Sequence, residues 1–262
     1  MDLGLSGKRA LVTGSTAGIG FATARALARE GARVVLNGRT EGRVREAIER
    51  LRSEGLAADG IAADLGTGAG CRLVTERLPQ ADVVVNNLGI FEPRPFEQIA
   101  DEDWLRFFET NVLSGIRMAR HYVAGMRTRN WGRIVFVSSE SALQIPTEMI
   151  HYGTTKTAQL AVARGLAETL SGTGVTVNSV LPGPTASEGV GTFVAQMAAA
   201  QGVDAATAER QFFQTARPSS IIQRFATPEE VAAMIVYLCS ARASATTGAA
   251  LRVDGGVVRA IA

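Results

Sequence analysis

Residues 8–20 read KRALVTGSTAGIG. Lys8 to Thr13 is a short apolar run with the make-up of a buried strand. Gly14, Gly18 and Gly20 follow at once, and Ile19 to Arg29 then has the length of a helix that ends at Gly31. A glycine turn between strand and helix lets backbone approach a phosphate closely. The free N–H groups at the helix start then face that anion. The spacing is G-x-x-x-G-x-G rather than the common G-x-G-x-x-G fingerprint, so a plain tight turn fits these residues too.

The same alternation continues outward. Strands are expected at Arg33 to Asn37, Ala57 to Ala63, Asp82 to Asn86, Arg133 to Ser138, Val175 to Leu181 and Ala249 to Val253. Helices are expected at Glu41 to Glu54, Gly70 to Leu78, Asp101 to Arg129 (with a break near Asn111), Ile150 to Leu170 and Pro228 to Ser240. Short Val/Ile/Leu runs alternating with helices imply a parallel sheet covered on both faces. We therefore expect an α/β chain, one doubly wound Rossmann-type domain over 1–262 with a seven-stranded parallel sheet. Pro182 to Thr227 reads as one long irregular stretch, a substrate loop at about 183–227.

Composition narrows the function. The 262 residues are 46% hydrophobic and 20% charged, with 28 Gly and 8 Pro, which is globular usage. The formal charge is +2, with no dense basic tract, so nothing suggests nucleic acid. The longest apolar runs, such as Ala232 to Cys239, are too short to cross a membrane, and Met1 to Lys8 does not read as a signal peptide. Cys71, Cys239, His121 and His151 show no metal-ligand spacing, and a reduced, cytoplasmic setting is expected. Lys8 and Lys156 are the two lysines of the chain, which makes the placement of Lys156 informative.

Tyr152 and Lys156 are four apart on an expected helix and so share a face. An ammonium near a phenol favours the phenolate and lowers the phenol pKa, which suits proton exchange with a carbonyl or alcohol oxygen. An amphipathic helix with a buried Tyr and an exposed Lys would carry the same pattern. Ser138 and Ser139 end one strand and Asn86, Asn87, Leu88 and Gly89 end another, at the edge where open α/β sheets bind ligands. Asn111 inside a helix suggests a break or a bound water.

Together these motifs closely resemble the classical short-chain dehydrogenases/reductases, and among them the 3-oxoacyl-carrier-protein-reductase-like members. The matches are TGSTAGIG at 13–20, Asp64, NNLG at 86–89, Asn111, Ser139, YGTTK at 152–156, PGPT at 182–185 and VDGG at 253–256. Leu88 departs from the usual Ala and could crowd the cofactor side. The resemblance implies Asn111, Ser139, Tyr152 and Lys156 as catalytic residues. Tyr152 is then general acid or base, Lys156 lowers its pKa and binds the nicotinamide ribose, Ser139 holds the substrate oxygen, and Asn111 holds a relay water. It implies cofactor contacts at Gly14, Ser15, Thr16, Gly18, Ile19, Gly20, Arg39, Asp64, Leu65, Asn87, Gly89, Tyr152, Lys156, Pro182, Gly183 and Thr185.

In NAD-preferring folds an acidic residue ends the second strand. Here Gly38 and Arg39 stand there, and a guanidinium suits a 2′-phosphate, so NADP(H) is expected to be preferred over NAD(H). Candidate pocket residues are Phe91, Glu140, Gln144, Ile145, His151 and Phe193. Arg117, Arg120, Arg127, Arg129 and Arg133 form a basic stretch that could meet an acyl carrier protein, or could be a solvated face. The expected activity is hydride transfer between nicotinamide and a small carbonyl or secondary-alcohol substrate, in a homotetramer joined through the helix around Tyr152 and residues 228–256. The alternative is an NADP(H)-sensing protein of the same fold, without relevant turnover.

Overall fold

Each apolar run becomes a strand because both of its faces are covered. In the computed structural model, which describes residues 1–261 and their side chains except those at 188, 189, 192, 193, 200 and 201, seven strands form one sheet. They are β1 (Arg9–Val12), β2 (Arg33–Gly38), β3 (Ala58–Ala62), β4 (Val83–Asn86), β5 (Gly132–Val137), β6 (Val175–Pro182) and β7 (Ala250–Val253). The order is β3-β2-β1-β4-β5-β6-β7 and every pairing is parallel.

Side-chain alternation divides the core in two. Ala10, Val12, Val83, Val85, Val135 and Val137 point to one face. There they meet α1 (Gly18–Arg29), α2 (Glu41–Ser53) and α9 (Pro228–Cys239). Leu11, Val84, Ile134 and Phe136 point to the other face, toward α3 (Gly68–Arg77), α5 (Ser114–Thr128) and α6 (Ile150–Glu168). A fully buried side chain of this kind contributes about 1.5–3 kcal/mol.

The helix expected over 101–129 is interrupted as the sequence suggests. α4 (Asp101–Phe108) runs into one wide turn, Glu109–Leu113, before α5 begins, and Asn111 lies in that turn. The stretch 183–227 is not irregular: it contains α7 (Glu188–Gln201) and α8 (Ala205–Thr215), capped by Ser187 and Asp204. Its Gly, Ala and polar sequence hid two helices whose caps are local but whose packing is not. Val231, Ile235 and Leu238 of α9 are spent inside their own core, so of the apolar residues expected at an interface on α9 only Met234 keeps surface, with Tyr237 beside it exposed. No helix among the described residues is long and apolar enough to cross a membrane.

β1 lies between β2 and β4, where the strand order reverses. That reversal opens a crevice at the carboxyl ends of the strands.

Candidate active site

The crevice is a cavity of about 480 Å³. It is lined from four strand ends, by Asn87 and Gly89 after β4, Ser138 to Ser141 after β5, Pro182 to Thr185 after β6, and Ile19 beyond the glycine turn. Tyr152 and Lys156 of α6 reach the same space.

The glycine turn is fixed by polar side chains. Asn87 Nδ2 donates to Thr13 O (3.0 Å) and Gly14 O (2.9 Å), while Thr13 Oγ1 accepts from Asn87 N and Leu88 N. Asn37, absent from the sequence-based candidates, joins three elements. Its Oδ1 accepts from Gly14 N, its Nδ2 donates to Ile61 O and Ala63 O, and its own N–H donates to Ser15 Oγ. A polar residue closing an apolar strand was the available signal. Gly14 and Gly18 have φ of +58° and +54°, and a Cβ on Gly20 would lie 2.5 Å from both Asn87 Nδ2 and Gly14 O. Only glycine fits these positions.

This turn suits a dinucleotide on one direct observation. α1 starts with no side-chain cap and no acidic residue in its first turn, so its N–H groups are open to an anion. Arg39 is exposed beyond β2, and Asp64 is exposed with Oδ1 accepting from Gly66 N. Leu65 is buried in the core, so its side chain is unavailable to a ligand. Leu88 packs against the core and does not line the cavity, which removes the expected crowding.

At the other end, Asn111 is fully buried. It accepts from Ile90 N (2.8 Å) and donates to Ile90 O and Thr155 Oγ1, tying the loop after β4 to α6. Its backbone carbonyl accepts from Gln159 Nε2 (2.6 Å), and Gln159 Oε1 has no partner. Lys156 is buried. Its Nζ donates to Val137 O (3.0 Å) and lies 5.5 Å from the Tyr152 ring centroid. Burial lowers the Lys156 pKa to about 8, against the opposing charge of Glu140.

The expected lowering of the Tyr152 pKa is not found. Burial pushes the phenol up and the Glu140 carboxylate adds to that, while a hydrogen bond with Ser139 and the charge of Arg217 oppose it. Lys156 is engaged with Val137, and desolvation of the phenol dominates. Ser139 Oγ accepts from Ser141 N and makes a very short hydrogen bond to Glu140 Oε2. Ser138, the rival serine, instead donates to Lys156 O and bolts α6 to β5.

The other pocket candidates divide. Phe91 and Glu140 line the cavity, and Phe91 meets Tyr152 edge-on at 6.4 Å. Gln144 and Ile145 are exposed and lie outside it. His151 is a core residue, 4.1 Å from the Phe107 ring, and burial lowers its pKa. The Phe193 side chain lies outside the described residues. Arg217, Phe212 and Phe225 line the cavity but escaped the sequence reading. Arg217 reaches it from a segment with no motif, and only the pair of aromatics nearby hinted at a wall.

The basic stretch is not one face. Arg133 is buried and donates to Ser240 O and Gly174 O, Arg129 donates to Ala81 O, and Arg117 pairs with Glu109 at 2.6 Å. Arg120 and Arg127 stay exposed.

A sheet of this order, a glycine turn at its switch point and a Ser–Tyr–Lys set at its edge define an oxidoreductase of the dinucleotide-binding type. Comparison with known proteins makes that specific. The family model described as Enoyl-(Acyl carrier protein) reductase matches residues 14–258. The chain belongs to the short-chain dehydrogenase/reductase family, whose members act on CH–OH groups. It is 47% identical to "Uncharacterized oxidoreductase YvaG" of Bacillus subtilis (strain 168), covering 100% of both chains. It is 32% identical to D-beta-hydroxybutyrate dehydrogenase of Cupriavidus necator, over 97% of this chain and 99% of that one. L-sorbose reductase from Gluconobacter frateurii, solved with NADPH and L-sorbose, superposes with a TM-score of 0.94 at 34% identity, covering 100% of both chains.

Proposed function

We propose that the chain is an NADP(H)-dependent carbonyl reductase, reversible toward secondary-alcohol oxidation. The observation that carries this reading is the convergence of Ser139, Tyr152 and Lys156 on one cavity beside an uncapped helix N-terminus. When bound, the nicotinamide supplies or accepts the hydride. Gly14, Ser15, Thr16, Gly18, Ile19 and Gly20 would cradle its pyrophosphate side. Asn87, Gly89, Pro182, Gly183 and Thr185 would bound the nicotinamide side, Asp64 and the Leu65 backbone the adenine, and Arg39 the 2′-phosphate.

Ser139 orients the substrate oxygen, and Tyr152 Oη gives it a proton as charge develops there. A phenol is protonated at neutral pH, the state carbonyl reduction requires, and burial of Tyr152 favours that state further. Lys156 binds the ribose, and Asn111 holds the water that returns the proton. Tyr152→Phe removes only the acid hydroxyl. Its NADPH-dependent rate on a carbonyl panel should fall by about 10²- to 10⁴-fold with NADPH affinity and circular dichroism unchanged. An undiminished rate would assign the acid elsewhere, and tight NADPH binding with no turnover of any carbonyl by the parent chain would favour the sensor.

We read the chain as one catalytic domain of a cytoplasmic homotetramer. The half-exposed edge strand β7 and the outward Tyr237 support assembly, since an apolar sheet edge is normally covered. Light scattering behind size exclusion should give four chain masses, and a stable monomer would overturn it.

A further inference from the structure

Beside the reacting residues the cavity has a charged wall. Glu140, 5% exposed, follows Ser139; Glu148 sits in the turn before α6; Arg217 follows α8. Arg217 Nε donates to Glu140 Oε1 (3.3 Å), and its Nη1 to Glu148 Oε1 (3.4 Å) and Ala216 O (2.8 Å). All three side chains line the cavity. We propose that this wall sets substrate class, admitting a neutral polyhydroxylated carbonyl compound and rejecting anionic ones. The proposal rests on the reductase reading above.

The argument is one of charge and of hydrogen-bond sense. Two carboxylates face one guanidinium, which leaves one net negative formal charge at the wall. Both ion-pair contacts of Arg217 are long, so the carboxylates keep lone pairs to offer. An ionised carboxylate only accepts, so a substrate group meeting it must donate, as a hydroxyl does. A substrate carboxylate placed there meets like charge in a partly desolvated site. The single charge of Arg217, with its Nε and Nη1 turned to Glu140 and Glu148, is outnumbered by the two carboxylates.

The other cation of the cavity, Lys156, is buried, donates to Val137 O beside Tyr152 and feels the charge of Glu140. It therefore serves the reacting end. Phe91, Pro93, Met149 and Phe212 also line the cavity, are apolar and suit the C–H face of a carbon chain. A hydroxylated chain with its carbonyl at Tyr152 satisfies polar and apolar lining at once, whereas a plain alkyl ketone offers no donor to the lone pairs the carboxylates have left.

The test uses the full chain with NADPH and four carbonyl compounds. These are a neutral ketohexose, the six-carbon keto-aldonate, a six-carbon ketone without hydroxyls, and a small diketone as a reactive control. The ketohexose should exceed the keto-aldonate in kcat/KM by about tenfold or more, a difference of ~1.4 kcal/mol, and should also exceed the plain ketone. Glu148→Gln should narrow the ketohexose-to-aldonate ratio by raising turnover of the anion. Glu140→Gln should narrow it too, read as a ratio because its absolute rate changes through Ser139. A keto-aldonate used as well as the ketohexose would overturn the proposal, as would a ratio that neither variant moves. If the diketone is reduced in a Tyr152-dependent way but the ketohexose is not, the wall assignment fails and the reductase reading stands. If none of the four is reduced, both fail.

Discussion

The cavity has two sides, and they are held by different means. The glycine turn is locked by backbone geometry and by buried amides, Asn37 and Asn87, whose bonds join β1, β2, β3 and β4. The side formed by α7 and α8 is held across the cavity by Arg217, through two long contacts to residues 77 and 69 positions away. Further along, Phe225 N–H donates to Glu209. The turn holds a ligand part that is the same in every reaction, so a rigid, over-determined frame costs nothing in function. The α7–α8 side lines the end of the cavity to which we assign the substrate. Other ties run to the C-terminal segment rather than into the sheet, from Ser219 Oγ to Val257 O and from Ile221 and Ile222 N to Gly255 O.

A paired substitution gives the sharpest test of that contrast. Gly20→Ala should lower unfolding stability by about 1–3 kcal/mol through overpacking against Asn87 and Gly14, and should abolish NADPH binding in titration. Arg217→Met should cost less in global denaturant unfolding, yet raise amide hydrogen exchange across 188–227. Equal global losses with no local change in exchange would show that the two sides unfold as one.

Lys156 touches the boundary between the sides, and its burial has a pH signature. Its folded pKa of about 8 lies below the ordinary lysine value of 10.5. Below pH 8 both states carry the proton and its burial penalty is in full force. Between 8 and 10.5 the unfolded chain binds the extra proton, so native stability rises with pH by about 1.4 kcal/mol per unit. In chemical denaturation of the cofactor-free protein, the parent should therefore gain on Lys156→Met over that window. A constant difference from pH 7 to 10 would contradict the lowered value.

The smallest effect concerns the outer rim of the turn. Arg39→Ala should weaken NADPH binding several-fold and leave NADH unchanged, measured as two dissociation constants by fluorescence titration. Equal affinities of the parent chain for the two cofactors would remove Arg39 from the recognition of the 2′-phosphate.

The sheet was legible because its evidence is local. A strand buried on both faces must be apolar throughout, so runs such as Val83–Asn86 identify themselves, and a strand-to-helix turn at Gly14 to Gly20 needs glycine whatever lies elsewhere. Ser139, Tyr152 and Lys156 were legible for the same reason: they stand at fixed spacings on one strand end and one helix. The break at Asn111 was legible because an amide mid-helix conflicts with local propensity.

Other features depended on what came to lie opposite. No property of Asn37 in the chain says that it will bind Gly14, Ile61 and Ala63, and no spacing connects Arg217 to Glu140. His151 adjoins Tyr152 in sequence but turns into the aromatic core, because successive helix residues point about 100° apart. Even the direction of the Tyr152 pKa shift was decided in three dimensions. Four-residue spacing points to a lowered phenol pKa, but desolvation and a carboxylate brought in after Ser139 raise it. By itself, then, the sequence determined the parallel sheet, the glycine turn and the side chains that meet at the cavity, all set by short-range pattern. The tertiary structure alone decided the hub at Asn37, the upward shift of the Tyr152 pKa and the charged wall, because burial and long-range pairing exist only once the chain has closed on itself.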